Sequence, residues 1–350
     1  MIKVYNSLPT NLEKEFEYLY LDKQKYSVKP RKTKKLKNVF VSHWGILLYK
    51  FFIPIKSAEN LVGLYDKTFY LKFWRLVLEQ YFVCRFGKSL QSIKLTDSKD
   101  YFTIHTSWFG YFSWFTTNIP RLIKTHDTNP DAVLLLPERI AKMPFVVDSL
   151  KMFENLNIVE VKDAHHLFIK NYIFTEVRPW TSQFDSKDFE IVRTVCFNYL
   201  NKQNLSVKEM PFVYVSRKKA KRRTITNEVE LETYLSSKGF YCISFEDYSV
   251  FEQIAIMQRV KVLITLHGAG LTNTIFMTAG SKVMELSPII DEKSQFRFPF
   301  WRICNLLNIS YYIQFCQTKD KGENDIYTRD LTVNMLTFVT KCEEMLSNSI

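Results

Sequence analysis

Residues able to bind an anionic ligand follow three predicted strands in the C-terminal half of the sequence. Arg217 opens a basic loop after the first strand, a His-Gly-Ala-Gly run at 267–270 follows the second, and Glu285 ends the third. Arginine guanidinium groups bind phosphate oxygens, and glycines let backbone N–H groups approach a phosphate because they carry no Cβ atom. A carboxylate accepts hydrogen bonds from ribose hydroxyls. Together these residue types predict a site for a nucleoside diphosphate.

Taken singly, each feature has an ordinary structural explanation. The glycines fit a tight turn, His267 fits a satisfied loop histidine, and Glu285 fits a strand-end carboxylate. Their common placement after neighbouring strands is what favours a ligand site.

Alternating strands and helices are expected to position these residues. The run 260–266 (Val-Lys-Val-Leu-Ile-Thr-Leu) is almost entirely apolar, as in a central parallel strand. The other predicted elements of this half are strands at 212–216, 241–245, 282–286 and 310–314, and helices at 188–201, 227–237, 249–259, from Asn273 to 278, and 331–346. Such repeats imply a parallel sheet with right-handed crossovers. Ligands bind beyond the carboxyl ends of its strands, so the loops near 217 and 267 should form one pocket.

The N-terminal half is predicted to be a second α/β region. Residues 1–36 are polar and basic and look like a loosely packed lead-in. The elements predicted after them are strands at 38–42, 46–53, 132–136, 158–161 and 167–174, and helices at 61–86 and 144–156. We therefore predict an N-terminal acceptor-side lobe at 1–185, a Rossmann-like lobe at 186–330, and a terminal helix at 331–350 that packs back on the N-terminal lobe.

Composition narrows the classes of partner. The 350 residues carry a formal charge of +12 and are 46% hydrophobic, which excludes a disordered chain and favours acidic partners. Basic runs lie at 29–37 and 217–223, the first of them most simply a solvated loop. Nucleic acid is disfavoured because no aromatic–basic recognition motif accompanies the charge. A dinucleotide-dependent oxidoreductase is disfavoured because Asn273 stands where the third glycine of Gly-x-Gly-x-x-Gly would be.

Cysteine usage and hydropathy indicate a cytoplasmic location. The six cysteines lack metal-ligand spacing and lie among apolar neighbours, as reduced core thiols do. The N-terminus lacks a signal-peptide pattern, and no run approaches about 18 apolar residues. Peripheral contact with the inner face of the cell membrane, through basic and aromatic surface, stays open.

Three stretches resemble glycosyltransferase family 61. The most specific is His-Gly-Ala-Gly-Leu-Thr-Asn within 262–288; the others are Val-Tyr-Val-Ser-Arg at 213–217 and Tyr-Phe-Ser-Trp at 111–114 followed by Pro-Arg-Leu at 120–122. The resemblance covers about residues 101–290 and implies a GT-B-like α/β fold, with two Rossmann-like lobes whose parallel sheets face a central cleft. It also implies inverting transfer from a UDP-sugar to a glycan or lipid-linked glycan. The absence of a signal anchor makes the chain look like the bacterial surface-polysaccharide type.

The resemblance also suggests roles for individual residues. The expected donor-binding residues are Arg217, Arg222, Arg223, Asn227, Gly268, Ala269, Gly270, Leu271, Asn273 and Glu285. The expected acceptor-side residues are Ser113, Trp114 and Arg121, with a buried core element as the alternative for the aromatic stretch and a surface salt bridge as the alternative for Arg121.

Two histidines are the catalytic candidates. The family usually has His where this sequence has Ser113, so His105 is considered as a substitute, although a structural role is its ordinary explanation. His267 is considered as a base or, preferably, a ligand of the donor phosphate.

We predict that transfer requires no metal or cofactor. The sequence contains no Asp-x-Asp, the carboxylate pair that would hold a hard cation. Arginines and a helix N-terminus would neutralise the leaving diphosphate instead. A non-catalytic nucleotide-sugar or carbohydrate binding protein of the same fold is the alternative.

Overall fold

The computed structural model describes residues 2–21, 24–42, 45, 47–49, 53–54, 75, 78, 92–106, 109–163, 166–178, 183–220, 223–289, 298–318 and 329–347. Two compact units are present. Unit 1 comprises Met1–Val28, Phe184–Ser186 and Arg193–Ile350, and unit 2 comprises Lys29–Gln183 and Lys187–Val192. The helix predicted at 61–86 lies outside the described residues, apart from two isolated positions.

The described strands, in chain order, are β1 Ile2–Tyr5, β2 Lys25–Val28, β3 Thr33–Val41, β4 Leu47–Tyr49, β5 Ile53–Pro54, β6 Ser92–Leu95, β7 Tyr101–Phe102, β8 Val133–Pro137, β9 Asn157–Val161, β10 His166–Thr175, β11 Phe212–Val215, β12 Tyr241–Ile243, β13 Val262–Leu266, β14 Lys282–Pro288, β15 Ser310–Thr318 and β16 Leu331–Thr332. The described α-helices are α1 Tyr18–Leu21, α2 Tyr111–Ser113, α3 Ile119–Thr128, α4 Glu138–Ala141, α5 Pro144–Leu150, α6 Ser186–Gln203, α7 Glu228–Ser237, α8 Val250–Met257, α9 Pro299–Leu306 and α10 Met335–Ser347.

In the part of unit 1 that the structure describes, six strands form a sheet in the order β12-β11-β13-β14-β15-β16. The first five strands are parallel, and β16 pairs antiparallel with β15. From β11 the chain first adds β12 on one side and then crosses to add β13 on the other. The order of the parallel strands therefore has its switch point between β11 and β13, the flavodoxin-like arrangement of a doubly wound sheet. The parallel sheet predicted for this half is confirmed.

Local signals explain where the crossover helices of unit 1 begin and end. Helix α8 begins after Ser249, whose side chain accepts from the backbone N–H of Glu252 while the Glu252 carboxylate accepts from the Ser249 N–H, a capping box. Helix α7 ends before Gly239, whose φ of 82° lies in the left-handed region. Both helices lie close to their predicted positions.

Both chain termini contribute to unit 1. Helix α10 buries Phe338, Cys342 and Met345 in the same core as strands β11, β13 and β14. Its apolar face therefore completes the core of unit 1, and the expectation that the terminal helix packs back on the N-terminal lobe stays a prediction. The start of the chain packs here as well, although residues 1–36 were predicted to be a loose lead-in.

Specific contacts hold the N-terminal segment in place. Trp301 in α9 donates to the carbonyl oxygen of Ser7 at 2.6 Å, and the N–H of Thr10 donates to the carbonyl oxygen of Tyr311 at 2.9 Å. Tyr20 is fully buried, with its ring 3.9 Å from that of Phe298 and 4.9 Å from that of Trp301, centroid to centroid. The segment is part of the folded unit.

The described residues of unit 2 form an eight-stranded mixed sheet. Strand β10 pairs antiparallel with β3 and parallel with β6 and β7, and β8 and β9 continue the parallel part. The expectation of a parallel Rossmann-like sheet in this half is corrected, because β3, β4 and β5 form an antiparallel extension. The sheet core includes Val39, Leu135 and Ile169.

Candidate functional site

The candidate site lies at the switch point of the unit 1 sheet. Ligands of open parallel sheets bind outside the carboxyl ends of the strands at such a point. The loop containing Arg217 leaves β11, and His267 follows β13 directly. The Thr265 hydroxyl donates to the carbonyl oxygen of Val215 at 3.0 Å, which ties these two strands together just before their loops.

Two guanidinium groups meet at Gly268. A Cβ atom on this glycine would lie 3.5 Å from Nη1 of Arg217 and 3.5 Å from Nη1 of Arg223. The two nitrogens are thus within about 7 Å of each other, where two positive charges repel by roughly 2 kcal/mol at an effective dielectric constant of about 20. An anion placed between them would be attracted by both. The predicted convergence of the loops near 217 and 267 is confirmed.

The backbone of Arg223 is strained. Its φ angle is 59°, in the left-handed region, which costs a residue with a Cβ atom roughly 1 kcal/mol. The other described non-glycine residues with positive φ are four asparagines, which tolerate it, and Phe298. The strained arginine also donates from Nη1 to the carbonyl oxygen of His267 at 3.2 Å. Such strain is typical of ligand sites, where the surrounding structure enforces it.

Two lysines of the same basic run pair with carboxylates of the protein. Lys218 forms an ion pair with Glu232, and Lys219 forms one with Asp247, and both lysines are exposed. Arg222 lies outside the described residues. Within the described part of the run, Arg217 and Arg223 are therefore the residues placed at the glycine loop.

His267 is oriented by a buried carboxylate. Its Nδ1 atom lies 2.5 Å from Oε1 of Glu285, and the other oxygen, Oε2, accepts from the hydroxyl of Tyr311 at 2.7 Å. Burial, followed by the charge of Glu285, raises the pKa of Tyr311 well above its usual value, so the phenol keeps the proton that it donates. The ring of Phe300 packs edge-on against His267, with 5.5 Å between the centroids. The His267 side chain remains 18% exposed.

The glycine loop continues into a 3-10 helix, Ala269–Phe276. The helix predicted to begin at Asn273 is corrected, because the helical segment starts four residues earlier. The first N–H groups of a helix lack intrahelical acceptors, so those of Ala269 and Gly270 are suited to an anion. Leu271 and Asn273 are fully buried, and the Asn273 amide donates to Oε1 of Gln253 at 3.0 Å. The geometry gives these two residues a packing role beneath the loop.

Asn227 precedes helix α7, but its side chain makes no capping hydrogen bond. Its amide instead binds the backbone of Val333, donating to the carbonyl oxygen at 2.9 Å and accepting from the N–H at 3.0 Å. This bidentate contact joins α7 to the segment after β16. A donor-binding role for Asn227 stays a prediction that these contacts do not support.

In unit 2, Arg121 is 1% exposed. It donates to the carbonyl oxygens of Thr175 at 3.1 Å, Ile104 at 2.6 Å and Thr103 at 3.3 Å. Burial lowers the pKa of its guanidinium to about 10, so it remains charged at neutral pH. These bonds fasten α3 to the sheet. They do not support the acceptor role, and the burial excludes the surface salt bridge.

The other acceptor-side candidates are also buried. Trp114 is fully buried and donates to Oγ of Ser149 at 2.7 Å, which confirms the core-element alternative for this residue. Ser113 and His105 are 6% and 3% exposed. A Cβ atom on Gly45 would lie 2.7 Å from the carbonyl oxygen of His105, so His105 is packed tightly against that glycine. A catalytic role for His105 stays a prediction without support from this burial.

Comparison with known families gives one match. Residues 111–284 match the family model of Glycosyltransferase 61. The match supports the resemblance to this family and, with it, a glycosyltransferase activity. No curated protein matches the chain significantly. The glycosyltransferase 61 region begins at α2 in unit 2, includes Arg217, Arg223 and His267, and ends one residue before Glu285.

Two site residues were missed by sequence reasoning. Tyr311 and Phe300 lie beyond the glycosyltransferase 61 region and belong to no motif. A signal for Tyr311 was nevertheless present, since β15 follows β14 in the predicted sheet. Their register pairs Glu285 with Ile313, two residues from Tyr311. No comparable signal pointed to Phe300.

Two features are absent from the described residues, a membrane-spanning helix and a metal-binding cluster. In that part of the chain, no helix is both long and apolar enough to span a bilayer. In the same residues, no group of three or more His, Cys, Asp or Glu side chains is arranged to hold a metal ion. Independence from metal stays a prediction. The described cysteines Cys196, Cys242, Cys304, Cys316 and Cys342 are free thiols.

Proposed function

We propose that the chain is an inverting, metal-independent glycosyltransferase that transfers a sugar from a nucleoside diphosphate sugar, UDP-linked, to a glycan or lipid-linked glycan in surface polysaccharide synthesis. The observation that carries the proposal is the pair of guanidinium groups, Arg217 and Arg223, at Gly268. It lies at the switch point of a parallel sheet within the glycosyltransferase 61 region. The family match supports the transferase class, and the site supports the anionic donor.

The charge of the arginine pair suits a diphosphate. A nucleoside diphosphate leaves with more negative charge than it carries while bonded to the sugar. Interactions that strengthen as charge develops accelerate the chemical step. Arg223 is held by its bond to the carbonyl oxygen of His267, and the N–H groups of Ala269 and Gly270 are held by the 3-10 helix, so little reorganisation of these groups is needed when the ligand binds.

In the proposed reaction, the acceptor hydroxyl oxygen bonds to the anomeric carbon from the face opposite the diphosphate. The bond between that carbon and the diphosphate oxygen breaks, and both electrons stay with the diphosphate. The hydroxyl proton passes to a general base. His267 is assigned here as a ligand of the donor phosphate, and the base is left unassigned.

Arg217→Ala tests the proposal. We expect the affinity for UDP to fall by about 30-fold, because a hydrogen bond to a charged group contributes about 1.5–3 kcal/mol. Lys219→Ala is the matched control, since it removes one positive charge nearby from an exposed ion pair. Its effect should stay under about twofold, because solvent and salt screen exposed charges. Calorimetric titration of both variants measures the difference.

Release of UDP from donor sugars tests the reaction itself. A thermal-shift screen with UDP-, GDP-, CMP- and dTDP-sugars selects the donor, and slow release of the nucleotide from that donor shows catalysis. Binding without release would favour the non-catalytic binding protein. Equal UDP affinity in Arg217→Ala and Lys219→Ala would contradict the proposed site.

A further inference from the structure

We infer that Glu285 and Tyr311 are positioning residues that hold the ring of His267 so that it contacts the donor phosphate through Nε2. The inference rests on the proposed function and gives Glu285 a different task from the ribose contact expected from sequence. The three side chains come from neighbouring strands of one sheet. His267 directly follows β13, Glu285 lies in β14 and Tyr311 lies in β15.

Both carboxylate oxygens of Glu285 are already used within the protein. Oε1 contacts Nδ1 of His267 at 2.5 Å, and Oε2 accepts from Tyr311 at 2.7 Å. The carboxylate is also buried, with 1% of the residue exposed. A ribose hydroxyl would have to displace one of these partners and reach a buried group. The geometry therefore favours a contact through His267.

The Glu285 contact determines which ring nitrogen can act on a ligand. An ionised carboxylate only accepts hydrogen bonds, so Nδ1 carries a proton. The other ring nitrogen is Nε2, and we infer that this atom contacts the phosphate, to which a ring nitrogen donates when it carries a proton. Metal-binding histidines are oriented in the same way, by a carboxylate that accepts from the ring nitrogen opposite the metal.

Tyr311 determines the position of the carboxylate. Its hydroxyl is buried and protonated, so it is a fixed donor to Oε2. Its backbone carbonyl oxygen in turn accepts from the N–H of Thr10 in the N-terminal segment. The chain of contacts therefore runs from the N-terminal segment through Tyr311 and Glu285 to His267.

Affinity for two probes distinguishes this role from a ribose contact. UDP contains a ribose, whereas inorganic pyrophosphate contains only the phosphates. We expect Glu285→Gln to weaken both by the same factor, about tenfold, the effect of losing one charge-assisted hydrogen bond. Tyr311→Phe, which keeps the ring and removes only the hydroxyl, should weaken both by about threefold. Weakening of UDP alone would overturn the inference, because it would place Glu285 on the nucleoside.

A double-mutant cycle tests whether Glu285 acts through His267. In a His267→Gln background, Glu285→Gln should cause no further loss of pyrophosphate affinity. An undiminished loss in that background would overturn the inference. The matched control is Tyr214→Phe, which removes another buried tyrosine–glutamate hydrogen bond, 2.7 Å to Glu228, from the same sheet. Pyrophosphate affinity should be unchanged in this control.

A spectroscopic measurement separates the inference from the proposed function. Protein labelled with nitrogen-15 histidine should show a far-downfield Nδ1 proton for His267, assigned by its absence from His267→Gln. The signal should be lost in Glu285→Gln, move in Tyr311→Phe and stay in Tyr214→Phe. If Glu285→Gln does not fold, the shift of the His267 Nδ1 proton in Tyr311→Phe decides the test, and an unmoved signal would overturn the inference.

The two readouts fail independently. Failure of the wild-type protein to bind UDP or pyrophosphate would overturn the proposed function. In that case the Nδ1 signal would still report whether the ring is positioned. A wild-type His267 protonated only at Nε2 would overturn the inference regardless of binding.

Discussion

Arginines in the two units illustrate how burial decides the role of one residue type. Arg121 in unit 2 is fully buried and donates to three backbone carbonyl oxygens. Arg217 and Arg223 in unit 1 are half-buried, and their guanidinium groups meet at a glycine. The family resemblance placed all three in ligand binding. The structure separates a guanidinium that holds the fold from a pair suited to an external anion.

The sharpest test of this difference is the stability of Arg121→Ala. We expect the free energy of unfolding of unit 2 to fall by about 4 kcal/mol, because three buried carbonyl oxygens lose their donor and each unsatisfied group costs about 1–3 kcal/mol. Hydrogen exchange of the amides of β8 and β10 measures the loss where it occurs.

The stability of Arg217→Ala is the comparison for Arg121→Ala. Its free energy of unfolding should change by less than about 1 kcal/mol, because the side chain is half-buried at a loop. Equal destabilisation by the two substitutions would remove the distinction between structural and ligand-facing arginines.

A second test applies the same contrast to tyrosines within one short helix. Tyr20 in α1 is fully buried, whereas Tyr18, two residues earlier, is 46% exposed. Tyr20→Ala should destabilise unit 1 by about 3 kcal/mol, the cost of removing a large buried ring. Tyr18→Ala should cost under about 1 kcal/mol. Urea unfolding of both variants gives the comparison. A small loss of unfolding free energy for Tyr20→Ala would support the loosely packed N-terminal segment that the sequence predicted.

Hydropathy predicted the central strands well and the charged or polar segments poorly. Strand β13 was predicted because its residues are apolar nearly throughout, as burial on both faces requires. Strand β3 was predicted only in its last residues, because exposed lysines such as Lys34 and Lys35 fill its first half. Pairing of residues 33–37 with residues 171–175 of β10 makes that half a strand, and this partner is distant in sequence.

Residue types predicted the chemistry of the site, but not the contacts among its members. The convergence of Arg217 and His267 was predictable because loops after neighbouring parallel strands share an edge. The helix start was misplaced because Thr272, Asn273 and Thr274 look polar in sequence yet are fully buried. The partner of Glu285 required the register between β14 and β15, which sequence alone does not determine.

Glycines in the two units give the third test. Gly45 in unit 2 has a φ of 79°, and a Cβ atom there would lie 2.7 Å from the backbone carbonyl oxygen of His105. Gly45→Ala should therefore destabilise unit 2 by about 2 kcal/mol, since left-handed strain and a backbone clash add together. Thermal unfolding measures the effect. Unchanged stability would show that the segment around His105 can move. Burial would then no longer argue against a catalytic role for His105.

Gly268→Ala in unit 1 should have the smallest effect on stability and a clear effect on binding. Its φ of 162° is extended backbone that alanine adopts, and the new methyl group would be in ordinary contact with Arg217 and Arg223 at 3.5 Å. The free energy of unfolding should change by less than about 0.5 kcal/mol. The methyl group would nevertheless occupy space between the guanidinium groups, where the phosphate is proposed to lie, so pyrophosphate affinity should fall by about tenfold, or 1.4 kcal/mol. Calorimetric titration beside thermal unfolding tests both statements, and full affinity in a stable Gly268→Ala would move the anion away from this glycine.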